Sequence, residues 1–568
     1  MSDSATAPLD QAEGIAVLCG RLADLGVRFA AISPGSRSAP LALALVRCER
    51  IQCVPVIDER SAAFVALGAA KGSGQPALVV TTSGTAAANL APAIHEAREA
   101  RVPLIALTAD RPPELRGVGE GQTIDQVRLF GSAAGFFDLE NGGTEADWAS
   151  LADEAVAVAL ATRPGPAQIN LALRPPLETV AAALPPGAPQ ADDDRRAALD
   201  RTASEDLPAL LSGSRRPLVI AGRDERGGGS RLAAECARLG LPVLADPLSG
   251  AFGGATGIAL WDPILRCRDW SVARLPDLVI RTGDMPTSKP LRAWLENARS
   301  EGAAVIQFDP ELARRDPTFS TTHRSESDPV ASLSPLSPPT PESGWLGSWL
   351  EASNEASEAL EPLVGSTEGA LSEPAVATGL ARSLDSAEVL FVSASMPIRD
   401  VESLVPWAPG SPRVLSNRGA NGIDGVISTA AGVALASGTR TAVLIGDVAF
   451  CHDQGVMTTL RDAEPAVCVV VVDNGVGSIF DILPIASQGD PAFEPFFATP
   501  TQLPLEDLCG AWEVPYKLIE SPAELEQALA GRPAGPSVLH VRVPREQGHR
   551  LRRAAWEAVS ERLEPSSP

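Results

Sequence analysis

The sequence predicts an α/β protein built from three doubly wound parallel sheets. Short apolar runs recur along the chain, alanine-rich segments of helical composition separate them, and Pro-rich stretches divide the pattern into three units. A length of 568 residues fits about three domains, because one hydrophobic core does not extend over so long a chain.

The three predicted units occupy residues 1–185, 195–345 and 366–568. The predicted strands are 29–32, 77–80, 104–107 and 168–171 in the first unit, 217–221, 242–245, 278–281 and 305–308 in the second, and 389–392, 413–415, 441–445, 466–472 and 538–541 in the third. The stretch PPGAPQADDD is typical of a linker, and the Pro and Ser density of 327–344 predicts no regular structure. No motif repeats between units, so a duplication and a merely shared topology both remain open.

The charge balance argues against two classes of partner. A formal net charge of −24 and an isoelectric point near 4.7 do not suit a nucleic acid or an anionic membrane, because both need a basic surface. The eight cysteines show no CxxC spacing, the N-terminus lacks the basic and apolar regions of a secretory signal, and no apolar run approaches the roughly 18 residues of a membrane span. We therefore expect a cytoplasmic protein with free thiols.

Polar residues follow two predicted strands of the third unit. Strand 441–445 leads into Gly446-Asp447-Val448, and strand 466–472 leads into Asp473-Asn474-Gly475. The 27 residues between Asp447 and Asn474 fit one helix and a return strand, so the two side chains are expected on strands about 4.8 Å apart. One carboxylate and one amide oxygen suit an octahedral Mg²⁺ that keeps positions for a diphosphate, and Gly446 and Gly475 permit close backbone approach. A helix-capping Asp and a turn Asn remain the alternative.

These two groups resemble the thiamine diphosphate motif, GDG followed after some twenty residues by NN, although here they are GDV and DN. The resemblance implies that Asp447, Asn474 and the main-chain carbonyl of Val476 hold Mg²⁺ or Mn²⁺. It also implies that Gly446 and Val448 contact the cofactor.

Several longer stretches resemble one family within that class. They are SPGSRSAPLALAL (33–45), DERSAAFVALGAAK (58–71), TTSGTAAANLAPAI (81–94), LTADRPPELRGVGEGQTIDQ (107–126), SNRGANGIDGVISTAAG (416–432) and GVGSIFDILP (475–484). Together they are similar to the 2-succinyl-5-enolpyruvyl-6-hydroxy-3-cyclohexene-1-carboxylate synthases. The resemblance extends over the first and third units and weakly into the middle one.

Membership of that family would imply a carbon–carbon bond-forming transferase of menaquinone biosynthesis, which decarboxylates 2-oxoglutarate and adds the succinyl carbanion equivalent to isochorismate. The first unit would bind the pyrimidine of thiamine diphosphate and the third its diphosphate. In that family the two ends of the cofactor contact different subunits, so the resemblance implies a dimer or a dimer of dimers with active sites at the subunit interface.

Two other functions stay open. Another thiamine diphosphate-dependent 2-oxoacid decarboxylase, or an acetolactate-type synthase, would share the cofactor motif. A dinucleotide-binding or non-catalytic α/β protein is weakly supported, because AGRDERGGGS at 221–230 lacks the GxGxxG pattern. The five histidines form no HxxxH pair of the kind that metal hydrolases use.

The resemblance assigns a cofactor role to two residues whose surroundings predict something simpler. Glu59, expected after a short strand at 55–57, would hydrogen-bond N1′ of the aminopyrimidine, although DERSAAF alone is typical of a helix start. Ile423 would support the bent cofactor, although by itself it is an ordinary core isoleucine.

The resemblance also assigns substrate contacts, and arginine dominates them because its fork binds carboxylates through two bonds. Ser395, Arg399 and Arg418 would hold the part derived from 2-oxoglutarate. The isochorismate end would be bound by Ser36, Arg37, Arg111, Gln122 and Lys289, and the apolar wall would be Ile479, Phe480 and Leu483. Lys289 is one of three lysines and is expected in the loop MPTSKP, where a solvated cation is the alternative. Pro290 follows it where some family members have a second basic residue.

Overall fold

The computed structural model describes residues 8–140, 142–178, 204–225, 227–252, 254–310, 315–364, 371–532 and 535–564. Three separate parallel sheets follow one another along the chain, with helices between the strands, so the predicted α/β class is confirmed. The predicted linker at 185–194 lies outside the described residues.

All strand pairs within the three sheets are parallel. The strands of the first sheet are β1 Phe29–Ile32, β2 Gln52–Pro55, β3 Ala77–Thr81, β4 Leu104–Asp110, β5 Gly135–Leu139 and β6 Ala167–Ala172. Those of the second are β7 Pro217–Ala221, β8 Val243–Ala245, β9 Leu278–Thr282, β10 Ala304–Phe308 and β11 His323–Ser325. Those of the third are β12 Val389–Val392, β13 Arg413–Leu415, β14 Thr441–Gly446, β15 Val467–Asp473, β16 Tyr516–Ile519 and β17 Ser537–Arg542.

The first and third sheets have the same strand order. It is β2-β1-β3-β4-β6-β5 in the first and β13-β12-β14-β15-β17-β16 in the third. The second sheet, β8-β7-β9-β10-β11, repeats the first four positions of that order. The three units therefore share a topology in which the direction of winding reverses beside the first strand, as in doubly wound folds.

The helices cover both faces of the sheets. They are α1 Gln11–Asp24, α2 Ala39–Arg47, α3 Glu59–Ser73, α4 Thr85–Ala88, α5 Ala91–Ala100, α6 Glu145–Ala159, α7 Leu207–Gly213, α8 Gly229–Leu239, α9 Trp261–Arg266, α10 Arg268–Ala273, α11 Lys289–Ser300, α12 Pro329–Leu333, α13 Trp345–Val364, α14 Glu373–Arg382, α15 Met396–Leu404, α16 Val426–Ser437, α17 Asp447–His452, α18 Met457–Ala463, α19 Leu505–Ala511, α20 Pro522–Ala530 and α21 Arg545–Leu563. Within the described ranges, no helix combines the length and the apolar character that crossing a bilayer requires.

Every predicted strand is present, with ends shifted by three residues at most, but β5, β11 and β16 were not predicted. Each of these three lies at the edge of its sheet, where one side is not covered by a neighbouring strand and a continuous apolar run is not needed. The strand expected at 55–57 is another edge strand, β2, and ends at Pro55. The expectation of no regular structure at 327–344 was wrong for α12, because the Asp328 side chain caps its first turn.

The first and third units share a hydrophobic core through α3 and α16. Glycines allow the two helix backbones to touch: a Cβ on Gly68 would lie 1.9 Å from the carbonyl oxygen of Thr429, and one on Gly432 would lie 1.9 Å from that of Val65. This crossing fixes the first unit against the helix that follows the loop 416–425.

Candidate active site

A cavity of about 410 Å³ opens at the carboxyl edge of the third sheet. It lies where β12 and β14 are neighbours and the winding reverses, which is the usual ligand position in an open α/β sheet. The carboxyl ends of four adjacent strands and the residues that follow them supply much of its lining, including Ser393, Ala394 and Ser395 after β12, Arg418 after β13, Gly446, Asp447 and Val448 at the end of β14, and Asn474 and Val476 after β15.

The predicted metal donors come together because β14 and β15 are paired in register, with Gly446 opposite Val472. The Thr501 hydroxyl donates to Asp447 Oδ2 at 2.5 Å. The Asn474 Oδ1 atom accepts the Val476 N–H at 3.0 Å, in a turn that Gly475 permits with a φ of 77°. Asp447, Asn474 and Val476 all line the cavity.

Asp447 is a buried carboxyl, and a bound cation would stabilise its negative charge. Burial raises the pKa of this carboxyl to about 6, and the neighbouring Asp473 adds to the rise. Within the described residues, no group of three or more His, Cys, Asp or Glu side chains could hold a metal ion. One carboxylate, one amide and a main-chain carbonyl are instead the donor set that Mg²⁺ accepts when phosphate oxygens and water complete its shell. The residues present therefore fit a metal diphosphate.

Two arginines enter the same cavity. Arg399 lies on α15 and donates to the Ser395 carbonyl at 2.5 Å, and Arg418 donates to the Thr287 hydroxyl at 3.0 Å. Burial lowers the pKa of both guanidinium groups, and nearby carboxylates such as Glu402 only partly oppose it. Because neither arginine has a carboxylate within 4.0 Å in the described part of the chain, both remain available for an anionic ligand.

Ser395 holds an uncommon backbone conformation at the start of α15. Its φ is 72°, in the left-handed region that glycine normally occupies. Backbone strain of this kind clusters at functional sites. Here it places Ser395 in the cavity lining directly before the helix that carries Arg399.

Apolar side chains form another part of the lining. Ile423, Ile479 and Phe480 line the cavity. Leu483, which was predicted to belong to the same wall, is not in the lining; it follows the short turn Ser478–Ile482 and is half-buried.

The predicted isochorismate residues of the first unit gather at the carboxyl edge of their own sheet. Arg111 donates to the Ser83 hydroxyl at 2.8 Å, and Gln122 donates to the Ser83 carbonyl at 3.1 Å. Arg37 donates to the Leu173 carbonyl at 2.6 Å; burial lowers its pKa, and Arg111 lowers it further. Ser36 is exposed beside Arg37, and none of these residues lines the cavity of the third unit.

Glu59 and Lys289 also lie outside the cavity lining of the single chain. Glu59 is the first residue of α3, as its surrounding sequence had indicated, and its side chain is half-buried. Lys289 is the exposed first residue of α11 rather than a loop residue, because Ser288 caps the helix by accepting the Leu291 N–H.

Sequence reasoning missed a buried network behind the metal donors. Glu373 lines the cavity and accepts hydrogen bonds from the Asn474 amide and, at 3.0 Å, from the Ser478 hydroxyl. Its other oxygen pairs with Arg552 of α21, which also binds Asp400 at 2.6 and 2.7 Å. Glu373 starts α14 and resembles any helix-start glutamate, so only its contact with a residue 101 positions away distinguishes it.

Comparison with known proteins adds the family. Residues 12–129 match the thiamine pyrophosphate enzyme N-terminal TPP binding domain, and residues 202–392 match the middle domain of thiamine pyrophosphate enzymes. A 2-succinyl-5-enolpyruvyl-6-hydroxy-3-cyclohexene-1-carboxylate synthase of Thermobifida fusca is 39% identical over 96% of this chain and 98% of its own. Proteins with the same name from Geobacillus thermodenitrificans and Halobacterium salinarum are 38% and 36% identical, over 97% and 98% of this chain and 96% and 99% of their own.

The chain belongs to the 2-succinyl-5-enolpyruvyl-6-hydroxy-3-cyclohexene-1-carboxylate synthase family. It is a thiamine diphosphate-dependent enzyme, as the resemblance had implied. The residues of the N-terminal match include Arg37, Glu59 and Arg111. Most of the residues that line the cavity come after residue 392, where the middle match ends. The middle match continues to β12, so the boundary drawn at 345 stays a prediction.

Proposed function

We propose that this synthase decarboxylates 2-oxoglutarate and adds the resulting succinyl carbanion equivalent to the ring alkene of isochorismate. The cavity that combines a metal-diphosphate donor set with two buried arginines is the observation that carries this proposal. Each substrate has two carboxylates, and a cavity with arginines free of carboxylate partners offsets such charge.

Asp447, Asn474 and the Val476 carbonyl would hold Mg²⁺ or Mn²⁺, and Gly446 and Val448 would contact the diphosphate. When bound, thiamine diphosphate supplies a nucleophilic thiazolium carbon and accepts electrons as CO₂ leaves. Ile423, which lines the cavity, would support the cofactor in its bent conformation.

Arg399 and Arg418 would bind the carboxylates of 2-oxoglutarate, with Ser395 beside it. Their burial strengthens this interaction, because water competes less for a carboxylate in a cavity than at the surface. Ile479 and Phe480, which line the cavity, would exclude water and so prevent protonation of the carbanion to succinic semialdehyde.

A second copy of the chain would complete the site. Its Glu59 would hold a proton at N1′ of the aminopyrimidine and so promote loss of the proton from the thiazolium carbon. Its Ser36, Arg37, Arg111 and Gln122 would bind isochorismate together with Lys289. Support comes from the grouping of the first-unit residues at one sheet edge outside the cavity of their own chain. The assembly would be a dimer or a dimer of dimers.

An assay with 2-oxoglutarate, isochorismate, thiamine diphosphate and Mg²⁺ tests the proposal. We expect isochorismate absorbance to fall and one condensed product to appear by mass spectrometry with the wild type. The isosteric Asp447→Asn variant should lose this activity, because an amide cannot replace the anionic ligand. Release of CO₂ and succinic semialdehyde with isochorismate left intact would make the enzyme a simple 2-oxoacid decarboxylase. Acetolactate formed from pyruvate alone would make it an acetolactate-type synthase.

A further inference from the structure

We propose that Glu96 and Lys71, two buried residues of the first unit, are positioning residues that hold the loop carrying Arg418 and so determine affinity for the first substrate. This inference rests on the proposed function, in which Arg418 binds 2-oxoglutarate. Neither residue lines the cavity, so both act through the loop.

Glu96 binds the loop through both carboxylate oxygens. The Gly419 N–H donates to Oε1 at 2.9 Å, and the Ala420 N–H donates to Oε2 at 2.7 Å. Glu96 lies on α5 of the first unit and is only 3% exposed. Charge-assisted hydrogen bonds of this kind are about twice as strong as neutral ones. The two N–H groups directly after Arg418 are therefore fixed by a residue 323 positions earlier in the chain.

Lys71 binds the same loop two residues before Arg418. Its ammonium group donates to the Ser416 carbonyl at 2.9 Å and to Glu225 at 2.9 Å, and it lies 3.8 Å from Glu96. The Lys71 side chain is fully buried. Ser416 and Ala420 thus mark two ends of a segment that the first unit holds on both sides of Arg418.

The packing of α5 against Gly419 supports the same role. A Cβ on Gly419 would lie 2.5 Å from the Glu96 carbonyl oxygen and 2.7 Å from the Ala100 nitrogen. Both are backbone atoms, which cannot move aside as a flexible side chain could. A side chain at position 419 would push the loop away from α5, and with it the neighbouring Arg418.

Buried charges are a costly way to join two units, since apolar residues of similar size stabilise an interface at least as well. The charged groups instead orient the loop, because a carboxylate that accepts two N–H groups fixes the orientation of both peptide groups. The consequence here is a defined exit direction for Arg418 into the cavity, where its guanidinium touches only Thr287 by hydrogen bond among the described residues.

The test compares Glu96→Gln with Glu99→Gln, a control on the same helix whose side chain is 50% exposed and pairs with Arg315 instead of the loop. A glutamine at 96 keeps the size but turns one acceptor into a donor facing an N–H. We expect the Glu96→Gln variant to raise KM for 2-oxoglutarate roughly tenfold. Its KM for isochorismate and its calorimetric affinity for the cofactor should stay within about twofold of the control, and its melting temperature within a few degrees. Calorimetry of 2-oxoglutarate on enzyme carrying Mg²⁺ and thiamine thiazolone diphosphate should show the same tenfold loss.

The Gly419→Ala variant approaches the same contact from the loop and should give the same pattern if Glu96→Gln does not fold. Equal behaviour of Glu96→Gln and Glu99→Gln, a lower melting temperature with unchanged 2-oxoglutarate affinity, or a Gly419→Ala enzyme like the wild type would overturn the positioning role. A wild type that binds 2-oxoglutarate tenfold better than Glu96→Gln, yet forms no product with isochorismate, would refute the proposed reaction and leave the positioning role intact. A wild type that does not bind 2-oxoglutarate refutes both.

Discussion

The first and third units have the same strand order but place different groups of polar side chains at the carboxyl edges of their sheets. At the carboxyl edge of the third sheet, Asp447, Asn474, Arg399 and Arg418 meet in one cavity of a single chain. At the same edge of the first sheet, Arg111 and its neighbours form their own group, which stays outside that cavity. One topology therefore places arginines at two sheet edges, and the proposed reaction needs these two edges to face each other.

The strongest test of this comparison mixes two inactive variants. Glu59→Gln should lower turnover by about 10² or more while the fold survives, because no carboxylate then holds the proton at N1′. Asp447→Asn should be equally inactive for want of the metal. If the two halves come from different copies, unfolding and refolding an equal mixture should restore about a quarter of wild-type turnover, since half of the dimers are mixed and each has one intact site.

Refolding each variant alone is the control and should stay inactive. A mixture that remains as inactive as its components would place Glu59 and Asp447 of one chain in the same site. Wild-type-like turnover in Glu59→Gln would remove the proposed proton role altogether.

Replacing the arginines separates the two edges by substrate. Arg399→Ala and Arg418→Ala should each raise KM for 2-oxoglutarate by roughly 10- to 100-fold, because a charge-assisted pair to a carboxylate is lost. Arg111→Ala should instead raise KM for isochorismate. Steady-state kinetics for both substrates, with calorimetry of cofactor binding, give the comparison. Loss of cofactor affinity in Arg399→Ala or Arg418→Ala, with unchanged kinetics for 2-oxoglutarate, would contradict the assignment.

The sequence was sufficient to place side chains that directly follow a strand. The placement of Asp447 beside Asn474 needed only two apolar strands and their spacing, because parallel neighbours end at one edge. Arg399 and Arg418 carry no local pattern of their own, and only the family resemblance assigned them to the site. Glu373 and Arg552 were missed, since their partners lie 101 and more residues away and no periodicity records such contacts.

The network behind the third-unit edge should have a smaller effect than the arginines that face it. In Glu373→Gln, an amide replaces the acceptor of the Asn474 Nδ2–H, so Asn474 is less firmly oriented. We expect thiamine diphosphate affinity in the presence of Mg²⁺ to fall about tenfold, with KM for 2-oxoglutarate nearly unchanged. Glu557→Gln, an exposed change on α21, is the matched control, and equal calorimetric affinities of the two variants would rule out an orienting role.

The smallest effect concerns stability at the junction of the two units, beside the α3–α16 crossing. Asp453 is fully buried and accepts hydrogen bonds from the Ser428 N–H at 2.8 Å and the Ser428 hydroxyl at 2.7 Å. Burial raises its pKa from 3.8 to about 6, so between pH 4 and pH 6 the folded protein binds this proton and the unfolded chain does not. Stability from this group is therefore greatest below pH 4 and falls as the pH rises to 6, by on the order of 2 kcal/mol.

The Asp453→Asn side chain has the same size and still offers a hydrogen-bond acceptor, but it cannot ionise. The dependence of stability on pH that Asp453 causes should therefore disappear. The melting temperature of Asp453→Asn relative to wild type should accordingly be several degrees more favourable at pH 7 than at pH 4.5. Asp462→Asn, at the exposed end of α18, controls for the loss of one surface charge and should show no such rise. A difference between Asp453→Asn and wild type that is the same at both pH values would mean that Asp453 is ionised throughout this range. The hydrogen bonds from Ser428 would then be sufficient to stabilise the buried negative charge of Asp453.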